Sequence, residues 1–138
     1  MPISEIRGVK FNSFQTIPEL ITYACGKYPD RTAVSYYADN VTIINKSYTD
    51  LHKDVMHIAE YLRSQCVAPG RICLLGECSY EWIVSFYAIS WAGATPVLID
   101  CELPDEDICA LINEVGAQCV MLDKADNHKK LTGSLSEN

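Results

Sequence analysis

The side chains in this sequence that could do chemistry are few, and their spacing works against it. His52 and His57 lie five apart in a stretch patterned as a helix. Five residues turn an α-helix about 140° past a full circle, so the two rings do not converge. The pair reads as two solvated histidines. Cys73 and Cys78 are also five apart, the first in an apolar run and the second in the loop that follows. No Cys-x-x-Cys occurs anywhere, so zinc-ribbon and thioredoxin-type motifs have no support. Cys78 precedes a helix start, where the dipole lowers a thiol pKa, but Glu77 beside it opposes that effect. An incidental thiol is the simpler reading.

Phosphate binding needs backbone amides brought close by glycine. Gly76 stands alone, without a GxGxxG or GxxxxGK[ST] pattern. Gly26-Lys27 is the one Gly-Lys pair, and it closes a helix rather than following a strand. Glu77 would repel a phosphate placed at the next helix start. Asp100, Glu102, Asp105, Glu106 and Asp107 suggest a cation site, but the last three fall in the first turn of a helix, where negative charge is stabilising. A calcium loop needs alternating oxygen ligands around a glycine turn. No Ser-His-Asp or Cys-His set stands out. No catalytic, cofactor-binding or metal-ligating residue is therefore assigned.

Composition narrows the class. The 138 residues carry 18 acidic and 11 basic side chains, a net charge of -7. With no basic stripe to offset it, that balance argues against nucleic acid as a partner. Nearly half the residues are apolar, so the chain can bury a core. Seven cysteines, an odd number, are scattered through apolar runs, and no signal peptide opens the chain. Free thiols in a reducing cytoplasm are the expectation. Residues 82–99 lack charge and approach membrane-span length. The change of character at Gly93-Ala94 favours a helix followed by a strand, and membrane association is not expected.

The elements follow from periodicity and punctuation. Residues 1–13 show no clear pattern and read as a loose arm. Thr16-Ile17-Pro18-Glu19 has capping-box spacing, with Glu19 expected to reach back to the cap. The helix it opens runs over 17–27, with Gly26 and Pro29 as its stop. Residues 32–37 and 41–46 around Ala38-Asp39-Asn40 predict a β-hairpin. A second helix begins near Thr49 with the stripe Leu51, Val55, Ile58, Ala59 and Leu62. After the Pro69-Gly70 turn the pattern becomes β-α-β-α-β: strands near 71–76, 95–99 and 118–122, helices over 80–91 and 105–115. Strands that do not alternate apolar with polar predict a parallel sheet covered on both faces. The fold class is α/β: an N-terminal helix and hairpin, then a partial parallel sheet. Residues 1–123 form a partial domain, with helix–hairpin–helix over 17–66 and parallel βαβαβ over 71–123. Residues 124–138 read as a polar tail or linker.

These segments also carry family motifs. Lys27-Tyr28-Pro29-Asp30-Arg31-Thr32-Ala33 follows the first helix. Ser47-Tyr48-Thr49-Asp50-Leu51 matches an "(S/T)Y-x-x-L" entry to the second. Val67-Ala68-Pro69-Gly70-Arg71-Ile72 resembles "GV-x-x-GD-x-V", with Ala68 for glycine and Arg71 for aspartate. Gly76-Glu77-Cys78-Ser79-Tyr80-Glu81-Trp82 resembles "GEN-x-x-EW", with Cys78 for asparagine. Residues 92–100 resemble "AGA-x-x-VPLD", and Leu103-Pro104 continues it. Over residues 14–123 the chain resembles the N-terminal segment of the acyl-adenylate-forming (AMP-binding) enzymes, most of all bacterial long-chain fatty-acyl-CoA synthetases.

The resemblance implies a parent ligase that uses ATP, magnesium and coenzyme A to activate a fatty or other carboxylic acid. The family's phosphate loop, ribose-binding aspartate and catalytic lysine lie beyond the matched stretch, so no catalytic role transfers to any position here. The segment alone is expected to be inactive and to bind none of these cofactors. Its partner would be the remainder of the synthetase. The helix over 80–91 is apolar on nearly every side, which predicts self-association through exposed apolar surface. Two other readings stay open. One is a freestanding α/β module binding a nucleotide or flavin near Gly76 and Asp100. The other is a natural non-catalytic partner of a synthetase.

Overall fold

In a computed structural model of the chain, residues 5–6, 9–10, 13–65 and 67–122 are described. The element order is β1 (Glu5–Ile6), β2 (Val9–Lys10), α1 (Ile17–Lys27), β3 (Thr32–Tyr37), β4 (Ile43–Ser47), α2 (Tyr48–Ser64), β5 (Arg71–Leu75), α3 (Tyr80–Trp91), β6 (Thr95–Ile99), α4 (Asp105–Val115) and β7 (Cys119–Leu122). The expected arm is not wholly without pattern, because β1 and β2 pair antiparallel. The expected tail, 124–138, lies outside the described residues.

Local chemistry sets the boundaries. The Thr16 hydroxyl accepts from the Glu19 amide at 3.3 Å, as a cap should. The Glu19 carboxylate, however, takes the Gln15 amide at 2.9 Å rather than that of the cap itself. The hairpin's second strand begins two residues later than predicted. The Asp39 carboxylate accepts from the amides of Val41 and Thr42 at 2.8 and 2.6 Å, forming a side-chain turn that spends those donors before the ladder starts. A full capping box opens α2, with the Asp50 amide donating to the Ser47 hydroxyl and the Ser47 amide donating to the Asp50 carboxylate. That box starts the helix at Tyr48, one residue before the expected position.

β5 is the central strand of a three-stranded parallel sheet in the order β6-β5-β7. Ile72 and Leu74 point into a core shared with α1, α2 and α3, whereas Cys73 and Leu75 point into a second core built on α4. Strand alternation thus separates two helical layers. Right-handed crossovers account for the separation, because the chain moves to one side of β5 through α3 and then back across it through α4. The expectation of strands covered on both faces holds in full for β5 and in part for β7, whose Cys119 and Met121 pack on the first core and Val120 and Leu122 on the second. β6 and β7 are the sheet edges, all four residues of β7 are half-buried, and Leu98 in β6 is exposed.

Two helices end without a basic residue in their last turn. Arginines from elsewhere supply the positive charge that a helix C-terminus favours. Arg63 of α2 donates to the Trp91 carbonyl at 2.7 Å, and Arg71 of β5 donates to the Val115 carbonyl at 3.0 Å. Gly116 then ends α4 in the left-handed region, at φ 61°. Gly70 is needed for a different reason. A Cβ there would lie 2.6 Å from the Val67 carbonyl oxygen and would run into the Gln118 side chain. Gly70→Ala is expected to destabilise the fold by about 1–3 kcal/mol, read as a lower urea midpoint at unchanged m-value.

Candidate functional site

The cluster that most resembles a site is assembled from four elements. A cleft of about 320 Å³ opens between the β3–β4 hairpin, α2 and α3, lined by Tyr36, Lys46, Asp54, His57, Ile58, Tyr80, Glu81, Val84 and Ser85. Its size is at the lower end for small-ligand pockets. Alternation on the hairpin presents Tyr36 and Lys46 to the helices. Asp54 and His57, three apart on α2, share a face. Tyr80 opens α3 directly after the cap Ser79, whose hydroxyl accepts from the Trp82 amide at 3.1 Å.

Tyr80 is the buried centre of this group, 6% exposed. Its hydroxyl donates to Asp54 Oδ2 at 2.7 Å. Lys46 Nζ lies 3.7 Å from the same oxygen and 5.0 Å from the Tyr80 ring centroid. Tyr36 stacks on Tyr80, with centroids 5.6 Å apart and planes 13° apart. Burial pushes the Tyr80 pKa far above its ordinary value, and the hydrogen bond to Asp54 adds to the shift. The phenol therefore keeps its proton across the neutral range and cannot act as a general base there. The arrangement suits joining elements better than proton transfer.

The residues weighed from sequence do not come together. His52 is not simply solvated, because it is half-buried with its ring edge-on to Trp91 at 5.6 Å; His57 is exposed at the cleft. Cys73 is buried in β5, where desolvation first and the neighbouring Cys119 second raise its pKa, while Cys78 is exposed. Lys27 is held by the Tyr23 hydroxyl at 2.7 Å, away from any phosphate cradle. Asp100 accepts from the Glu102 amide at 2.9 Å in a turn. Among the described residues no three His, Cys, Asp or Glu side chains converge to hold a metal. Residues 82–99 divide into α3 and β6, and no described helix is long and apolar enough to cross a membrane.

A nucleotide or flavin near Gly76 and Asp100 would need a crevice between β5 and β6. The strand order places the topological switch on the other side, between β5 and β7. The hollow there is about 110 Å³, lined by Leu74, Leu75, Glu81, Trp82, Ser85, Met121 and Leu122. It is too small for a nucleotide, and mostly apolar. Periodicity missed the Tyr36–Lys46–Asp54–Tyr80 group because each member looks ordinary in its own element. Its only local signal is a tyrosine directly after a helix cap.

Comparison with known proteins gives a consistent result. The family model described as "AMP-binding enzyme" matches residues 21–138. The 2-succinylbenzoate–CoA ligase of Bacillus cereus (strain AH820) is 27% identical over 111 residues, 80% of this chain and 22% of that protein. Bacitracin synthase 3 of Bacillus licheniformis is 30% identical over 124 residues, 89% of this chain and 2% of that one. The chain thus spans about a fifth of the length of the ligase. In fold it is similar to Klebsiella oxytoca NpsA in complex with 3-hydroxyanthranilyl-AMSN, with a TM-score of 0.72 at 20% identity, covering 82% of this chain and 22% of that one. The N-terminal subdomain of NpsA with the same ligand gives 0.73 at 21% identity, covering 83% and 28%. These relatives do not single out the long-chain fatty-acyl subtype.

Tyr80 gives this site a measurable signature. In an absorbance titration of phenolate, one of the eight tyrosines is expected to lag well behind the rest. The folded pKa lies above the ordinary value of 10.0, so the native state holds a proton that the unfolded chain releases. The resulting stability is complete below about pH 10 and falls as the pH rises further. Asp54→Ala should shift that tyrosine partway back, because burial persists. A titration with all tyrosines alike would contradict the assigned contacts.

Proposed function

Since the chain belongs to the AMP-binding enzyme family, we propose that it is the N-terminal part of an ATP-dependent acid–thiol ligase, which joins a carboxylic acid to AMP and passes the acyl group to coenzyme A. The family match over 21–138, on a half-sheet wound in the order β6-β5-β7, carries this reading. The 2-succinylbenzoate–CoA ligases support coenzyme A as the acceptor. They also widen the acid from the long-chain fatty acids suggested by motif to carboxylic acids including aromatic ones.

The segment's own part in that reaction is to act as scaffold. Trp82 on α3 and Met121 and Leu122 on β7 are half-buried and uncharged beside the open edge of β7, and Phe86 and Tyr87 extend this half-buried surface along α3 from Trp82. In this proposal the rest of the synthetase covers that surface, and completing the burial of each side chain adds a part of the roughly 1.5–3 kcal/mol that full burial from water is worth. The small, mostly apolar switch-point hollow supports a reading in which ATP and magnesium are held elsewhere in the ligase. ATP, magnesium and coenzyme A are accordingly assigned to the remainder of the ligase.

The purified 138-residue chain is expected to show no ATP–pyrophosphate exchange with magnesium and a panel of 2-succinylbenzoate, benzoate and palmitate. Exchange above the blank would refute the scaffold role. In the native gene the frame is expected to continue past Asn138 into a Ser/Thr/Gly-rich loop, and a stop codon there would overturn the parent ligase. Alone, the chain should bind a hydrophobic dye or self-associate through the uncovered surface. A monodisperse monomer without dye binding would count against it.

A further inference from the structure

The hairpin is a separate two-stranded sheet, hydrogen-bonded to no strand of the main one. At its base the amides of Tyr48 and Thr49 donate to the carbonyls of Arg31 and Pro29, and Ala33 and Val34 pack on the core nearby. Lys46, opposite Val34, and Tyr36, two residues farther out, reach across to the helices, and both meet Tyr80 or its partner Asp54. Tyr80 is also the first residue of α3, so the loop of residues 76–79 runs directly from the C-terminal end of β5 into this junction. Open α/β sheets take their ligands along that edge.

We propose that Tyr80 is a positioning residue: through Asp54 and Tyr36 it couples the hairpin to the loop of residues 76–79, so that the two are held, or loosened, together. The consequence for acyl activation rests on the ligase reading, but the coupling is a property of this chain and is measured on it alone. The hydroxyl bond to the carboxylate is the strongest single link in the junction, and one side chain serves three contacts, from α2 and from both strands of the hairpin.

Amide hydrogen exchange followed by NMR on the 138-residue chain tests the coupling. The Trp82 and Ile83 amides report the loop–helix junction, and the Ala38 amide, bonded to the Thr42 carbonyl, reports the hairpin. Tyr80→Phe keeps the ring and removes one bond. It should speed exchange at all three by about tenfold and leave α4 and β6 unchanged. Tyr36→Leu should speed exchange at Trp82 and Ile83, although it lies in another element. Asp54→Asn keeps an acceptor and should restore most of the protection lost in Asp54→Ala, which a purely volumetric role would not produce. An effect confined to one element, a uniform loss that includes α4, or no rescue by Asn would overturn the proposal.

Discussion

Everything in this fold turns on burying α3. Its side chains are apolar around most of the circumference, and neither a solvated helix nor a sheet-backed one can hide such a surface on one side. Val84, Ala88 and Ile89 are buried among α1, α2 and β5, while Trp82, Ile83, Phe86, Tyr87 and Trp91 pack at the edges of that core. Two layers of helix on one face of the sheet follow from this need, since α1 and α2 wrap a helix that already covers β5.

The sheet supplies the second constraint. A right-handed crossover that moves one way along the sheet lays its helix on one face and one that moves back lays it on the other, so reversal of the strand order carries α4 to the opposite face. Cys73 and Leu75 then belong to α4, Ile72 and Leu74 to α3, and the middle strand alone has fully buried side chains on both faces. The arginine caps belong to the same logic. Arg63 and Arg71 come from elements that the winding brings against the ends of α3 and α4, where neither helix carries a basic residue of its own. Arg71 takes the place where the family motif has aspartate, and its contact gives that departure a structural reason.

The half-sheet also explains why chemistry is sparse here. Ligand sites in wound sheets gather at the switch between strands of opposite progression. This chain contains that switch, between β5 and β7, yet the residues around it are mostly apolar and the hollow is small. Polar, titratable side chains collect instead beneath the hairpin. There they satisfy one another, with the phenol donating its hydrogen bond to a carboxylate that also faces an ammonium.

What the sequence determined by itself was local. The spans of α1, α3, β6 and α4 agree with periodicity and end signals, and the Ser79 cap is where its residue type places it. Errors of one or two residues arose where a side chain takes a backbone donor, as Asp39 does in the hairpin and Asp50 at the start of α2. Family motifs were legible because they sit at turns and caps, where few residue types fit. Only the tertiary structure decided which edge of β5 each neighbour takes, which strands are left half-covered, and that His52 is packed on Trp91. The Tyr36–Lys46–Asp54–Tyr80 junction was invisible for the same reason. Its members are up to 44 residues apart, and no periodicity links side chains that meet only when separate elements pack.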